Sequence, residues 1–188
     1  MPTSVISKPT VLKDEDIATT EAQVDDNRAA KASKLAAMKD ASNRRKAVNN
    51  AKMRVMRRFR GLPNDSYTEM NERESCFKNL TKIKQISYFE DDWNGYGARR
   101  FSLTEITCFA LVISDLKTQP EISPTGRNSL YMRYKTDDKS ELSFEMFEDK
   151  LFEVYVPHAD FSLATENTYY DNFADKINES VKKLYDSK

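Results

Sequence analysis

The spacing of apolar residues changes at Pro120, and that change constrains the fold more than any single motif does. Upstream, Phe77, Leu80 and Ile83, and then Ile106, Phe109, Ala110, Ile113 and Leu116, recur at intervals of three and four, the repeat of a one-faced helix. Downstream, "NSLYMRYK", "ELSFEMFE" and "LFEVYVP" alternate. They set Leu130, Met132 and Tyr134, then Leu142, Phe144 and Met146, then Phe152, Val154 and Val156 each on one face. The short links "TDDKS" and "EDK" predict an antiparallel meander of three strands, with "PEIS" a candidate fourth. Tyr131, Phe147, Leu151 and Tyr155 fall on the other face, so that side is expected to be partly covered too. A last helix over about 168–185, carrying Tyr170, Phe173, Ile177, Val181 and Leu184, should pack on the sheet. The class is α+β: helices packed on a three- to four-stranded antiparallel sheet, with an N-terminal basic helical arm.

Helix boundaries are written in local chemistry. Ser102 and Glu105 have the spacing of a capping box, and Phe101 with Ile106 that of a hydrophobic staple. Ser66 and Glu69 repeat the capping-box spacing ahead of the helix with Phe77, and "GLP" at 61–63 supplies a stop. Three regions follow: an extended or disordered lead over 1–25, a basic helical arm over 26–60, and an α+β globular domain over 61–188.

The arm contains no Gly or Pro and is rich in good helix formers. Between positions 31 and 60 it holds eleven basic residues against Asp40 alone, ten net positive charges, in a chain whose 30 basic and 30 acidic residues cancel as a whole. A helix of that stretch spans about 45 Å and repels itself. An acidic partner, or the chain's own acidic remainder, relieves the repulsion. Arg44, Arg45 and Lys46, then Lys52, Arg54, Arg57, Arg58 and Arg60, are the candidate contacts, phosphate among them, with Asn43, Asn49 and Asn50 able to add polar contacts. Its apolar residues are densest near the C-terminal end, so anchoring is expected near Phe59. Few aromatics interleave with the charges, and no helix-turn-helix or zinc-finger pattern is present, which argues against base stacking and sequence-specific reading.

"DDWNGYGARRFSLTE" holds Gly95 and Gly97, two of only four glycines, and the lone tryptophan. Asn94-Gly95 suits a tight turn with positive φ, and Gly97 a second unusual dihedral. Trp93 and Tyr96 are then expected to fold inward between helices and sheet, with their polar tips hydrogen-bonded. The alternative is a recognition loop presenting Tyr96, Arg99 and Arg100. With the Ser-capped helix, the Pro-x-Ile-x-Pro element and the strands that follow, residues 88–156 resemble a widespread group of small bacterial and phage proteins sharing W-[DN]-G-Y-G-A. Where members of that group often carry Pro-Asp-Gly, this chain has Thr-Gly-Arg-Asn at 125–128. The resemblance implies no activity; it implies accessory genes of mobile elements or defence loci.

Little in the chain suggests catalysis. His158 is the only histidine, and Cys76 and Cys108 form no CxxC pair and are expected as buried free thiols rather than a disulfide. No nucleophile elbow, Walker loop or dinucleotide fingerprint occurs. Glu90, Asp91 and Asp92 cluster beside the glycines, and Glu141, Glu145 and Glu153 are candidates for one sheet face. Acids alternating with apolar residues more often form a solvated face. Neither a cofactor nor a metal is expected. With no apolar run of about 18 residues and no signal-peptide pattern, a cytoplasmic or phage-particle location is expected. The leading expectation is a non-catalytic interaction protein, antitoxin-like, defence-accessory or part of an assembly, that binds a protein. The alternative is a nucleic-acid-binding accessory protein using residues 31–60.

Overall fold

The computed structural model describes residues 14–58 and 67–186, with side chains over 28–58 and 70–186. Phe59, Arg60, the "GLP" stop and the Ser66–Glu69 capping box lie outside them, as do residues 1–13 of the expected lead. The chain divides into two compact units, one ending at Asp40 and the other Ala41–Lys188. Helix α1, Asp14–Arg58, contributes to both, and it begins within the stretch expected as a lead.

Within the second unit follow α2 (Tyr67–Ile86), α3 (Leu103–Asp115), β1 (Glu121–Pro124), β2 (Leu130–Lys135), β3 (Glu141–Phe147), β4 (Lys150–Val156), β5 (Thr165–Tyr169) and α4 (Phe173–Asp186). The five strands form one antiparallel sheet in chain order. The expected α+β architecture is therefore present, with one strand more than the upper expectation. β5, "TENTY", has no apolar alternation because its first four residues are exposed. Residues 168 and 169, expected in the last helix, belong to this strand, and α4 starts at Phe173.

Strand β4 is turned over relative to expectation. The two-residue turn Glu148–Asp149 pairs Phe147 with Lys150, so Met146 faces Leu151, Phe144 faces Glu153 and Leu142 faces Tyr155. Glu148 takes the positive φ, 53°, of such a tight connection. Leu151, Glu153 and Tyr155 thus share the face of Phe144, and Phe152 and Val154 lie on the opposite one, since a one-residue difference in register exchanges the faces of a strand.

The core lies between that face and the helices. Leu130, Met132, Phe144, Met146 and Leu151 pack with Leu80 and Ile83 of α2, Ile106, Phe109 and Ile113 of α3, and Ile177 and Val181 of α4, all buried. From α1, Val48, Ala51 and Val55 enter the same core. The α3 start is as expected: Ser102 Oγ accepts from the Glu105 N–H at 3.2 Å, and the Glu105 carboxylate accepts from the Ser102 N–H at 2.7 Å.

Candidate interaction surface

The basic residues of α1 sort by the face on which they fall. Arg44, Val48, Ala51 and Val55 stand at i, i+4, i+7 and i+11, a single stripe of the helix. That stripe is buried, Arg44 with it. Its guanidinium Nη1 donates to the Phe101 carbonyl at 3.1 Å. Expected as a phosphate contact, Arg44 is instead a core residue with no access to solvent.

Neighbouring cations engage this part of α1, from Ala41 onward, within the second unit. Arg45 Nε donates to the Ala41 carbonyl at 3.0 Å, and its guanidinium lies 5.4 Å from the centre of the Tyr88 ring. Lys52 reaches Thr81 Oγ1 at 3.0 Å, Arg54 pairs with Asp115 at 3.1 Å, and Arg58 donates to the Ser114 carbonyl at 3.3 Å. An exposed pair such as Arg54–Asp115 is worth about 0–1 kcal/mol. Burying a valine contributes about 1.5–3 kcal/mol, so Val48 and Val55 dock the helix and the cations fix its rotation. Lys46 and Arg57 are exposed, as are Asn43, Asn49 and Asn50. A groove of about 420 Å³ between α1 and α3 runs past Asn43, Lys46, Asn50, Arg54, Thr107 and Leu111. The expected row of phosphate contacts is thus interrupted by side chains already engaged.

In the first unit, α1 has a different character. From Arg28 to Lys39 every side chain is exposed except the half-buried Ala37. Lys31, Lys34 and Lys39 are joined by Leu35, 54 % exposed, and Met38, 63 % exposed, one turn apart. No acid occurs between Arg28 and Lys39.

The glycine turn divides its two rings. Trp93 stacks on Phe89, with centroids 4.8 Å apart and planes at 24°, and leans on Phe101 at 5.9 Å. Its indole Nε1 is buried and has no hydrogen-bond partner among the described residues, contrary to the expected satisfied tip. Tyr96, also expected inside, is 92 % exposed. The reason is the local bonding. Gly95 and Gly97 take φ values of 71° and 81°, and Asn94 Oδ1 accepts from the Tyr96 and Ala98 N–H groups at 3.0 and 3.2 Å. Asp92 Oδ1 accepts from Gly97 N–H at 2.7 Å, while Asp91 Oδ1 accepts from Arg100 N–H at 2.8 Å. With the backbone tied inward by Asp91, Asp92 and Asn94, the ring at 96 points out. Arg99 is committed to Glu105 by two bonds of 2.9 and 2.6 Å. Of the alternative recognition trio, Arg99 is therefore engaged within the chain.

The acids do not converge as a set. Glu141 and Glu145 lie on the face away from the helices, but Glu153, in the overturned strand, is buried against α4. It accepts from Asn167 Nδ2 at 2.9 Å, Ser180 Oγ at 2.5 Å and Tyr169 Oη at 3.4 Å, beside a cavity of about 320 Å³ lined also by Tyr155, Thr165 and Lys183. A carboxylate has about four acceptor positions, and three are used in tying β5 and α4 to β4. Strand alternation with Phe152 and Val154 inward puts Glu153 on the outer face with Glu141 and Glu145; the two-residue Glu148–Asp149 turn is the signal in the sequence for the opposite face.

His158 meets Asp138 through Nδ1 at 3.3 Å, and its backbone N–H, not its ring, reaches Ser140 Oγ at 3.0 Å. The Ser140 hydroxyl itself donates to Asp138 Oδ2 at 3.0 Å. Among the described residues no group of three His, Cys, Asp or Glu side chains is placed to hold a metal ion, and no helix is long and apolar enough to cross a membrane. Compared with protein-family models, curated proteins and solved structures, the chain has no match.

Proposed function

We propose that this chain is a non-catalytic interaction protein, of bacterial or phage origin, that binds an acidic protein partner through helix α1. The observation that carries this reading is the pairing of Leu35 and Met38, both more than half exposed, with the exposed cations Lys31, Lys34 and Lys39. A helix recognised in a groove presents apolar anchors one turn apart within a charged surround, and methionine adapts its shape to an irregular apolar floor. A phosphate-binding face has no use for the two apolar side chains. The engagement of Arg44, Arg45, Lys52, Arg54 and Arg58 within the second unit also favours a protein partner over nucleic acid. An antitoxin-like or assembly role fits such a helix.

The experiment is capture by the tagged full chain from lysate of its native host, identification of the captured protein, and titration of that protein in purified form. Leu35→Asp with Met38→Asp should weaken binding at least tenfold while leaving the thermal unfolding midpoint unchanged. Duplex DNA and RNA are titrated in parallel at two salt concentrations. Steeply salt-dependent nucleic-acid binding that survives the double variant and is lost in Lys46→Ala with Arg57→Ala would replace this reading with the nucleic-acid one.

A further inference from the structure

We infer that β5 is a pairing edge for a second copy of this chain, giving a two-fold dimer whose sheet runs continuously through both copies. β5 ends the sheet, so one side of it has no strand neighbour among the described residues. Exposed edges are ordinarily blunted by charged side chains, lysine above all, by proline or by a bulge. The opposite edge, β1, ends in Pro124, but Thr165–Tyr169 contains neither lysine nor proline and pairs with β4 without interruption across five positions.

The strand and its flanks complement themselves. A side chain keeps its face only in registers whose paired residue numbers have an even sum. The register centred on Glu166 opposes that carboxylate to its own copy. Centring on Asn167 pairs all five residues instead: Thr165 with Tyr169 of the second copy, and Glu166 with Thr168 of the second copy. Glu166 is the only charge in the strand, and in this register it meets a hydroxyl. The same axis sets Tyr170, 69 % exposed, beside Ala164 of the second copy, next to its Leu163 and Phe161, 59 % and 81 % exposed. A large ring thus meets a small residue that follows two apolar ones, Phe161 and Leu163, twice, as an isologous contact requires. Two aromatic rings per copy, each able to bury roughly 150–250 Å², together with a leucine and the strand edge, reach the roughly 1,000 Å² at which specific interfaces begin. The expected association is weak and depends on concentration.

Sedimentation equilibrium of the full chain tests this. The weight-average mass should rise with concentration from one chain of 21.7 kDa toward two. Thr168 is exposed, so it tolerates substitution. Thr168→Glu sets two like-charge pairs across the axis and should raise the dimer Kd at least tenfold. Thr168→Lys creates two Glu–Lys pairs and should lower it several-fold, a gain that misfolding cannot imitate. Monomer at every concentration up to about millimolar, or a dimer that responds to neither substitution or to both in the same direction, overturns the proposal.

Discussion

Arg44 and Phe101 stand fifty-seven positions apart, yet the guanidinium of one donates to the backbone carbonyl of the other at 3.1 Å inside the core. That bond joins the second half of α1 to the segment that opens α3. Phe101 itself lies in a ring cluster, edge-on to Phe109 at 5.9 Å and tilted against Trp93 at the same distance. The carbonyl is therefore held by packing, and the arginine is held by the carbonyl.

Arg44→Ala leaves the Phe101 carbonyl without this donor and opens a void on the buried stripe, so it should cost about 3 kcal/mol of stability. Lys46→Ala, two positions away on the exposed face, should stay within about 0.5 kcal/mol. Urea unfolding of both variants checks the contrast. Equal midpoints would mean that the helix beyond Ala41 is not docked as described.

Trp93 and Tyr96 should respond in opposite ways. Trp93→Ala removes a stacked ring and should cost about 2–3 kcal/mol, below the 3–5 kcal/mol of a fully buried aromatic. Tyr96→Ala should change stability by less than about 0.5 kcal/mol. A methyl group at position 95 or 97 meets nothing within 4 Å, so the cost of Gly95→Ala is conformational, about 1–2 kcal/mol for a positive φ. Gly95→Val should cost more, because its β-branch crowds the same backbone. A thermal-shift series over these four variants gives the order.

Cys76 donates to the Ile113 carbonyl at 3.7 Å, and burial pushes its thiol up to about 11. Thiolate, not thiol, is the nucleophile. At pH 8 the native protein should therefore consume a disulfide reagent at Cys76 only as it unfolds, and urea should accelerate the reaction by orders of magnitude. Burial also raises Cys108, so neither thiol should react quickly. Rapid labelling of Cys76 without denaturant would show that α2 and α3 separate readily.

The α+β class was legible because period is a collective property of many residues, and the Ser102–Glu105 cap because its two bonds are local. The inward face of β4, by contrast, is a non-local choice. Alternation shows that β4 has two unlike faces; which one turns inward depends on the Glu148–Asp149 turn and on Glu153 finding Asn167, Tyr169 and Ser180. Arg44 adjoins Arg45 and Lys46 in the sequence, which suggests one basic cluster, but its spacing with Val48, Ala51 and Val55 makes it a member of the buried stripe. Tyr96 was misplaced because aromatic character predicts burial on average, whereas the side-chain bonds of Asp92 and Asn94 decide which way a turn of this kind points its ring.

Asp138 organises the connection between β2 and β3. Its carboxylate accepts from the Thr136 hydroxyl, from the Ser140 N–H at 3.2 Å and from the Ser140 hydroxyl at 3.0 Å, with His158 nearby. These bonds, the one from Thr136 foremost, favour the charged form and hold its pKa at about 2, below the ordinary 3.8. Since the folded-state value is depressed, the stabilisation is complete above about pH 4, the unfolded value. It is lost as pH falls from there toward 2. Lysine at 139 holds φ at 67° within this turn, so losing the carboxylate bonds should release the turn first. Hydrogen exchange at the Ser140 amide should accelerate between pH 4 and pH 2 beyond its intrinsic pH dependence, ahead of core amides such as that of Phe144. Asp138→Asn, which cannot titrate, should abolish that extra acceleration while keeping one acceptor. If the Ser140 amide tracks Phe144 across the whole range in both proteins, the turn opens only with the fold, and Asp138 has no separate role in holding it.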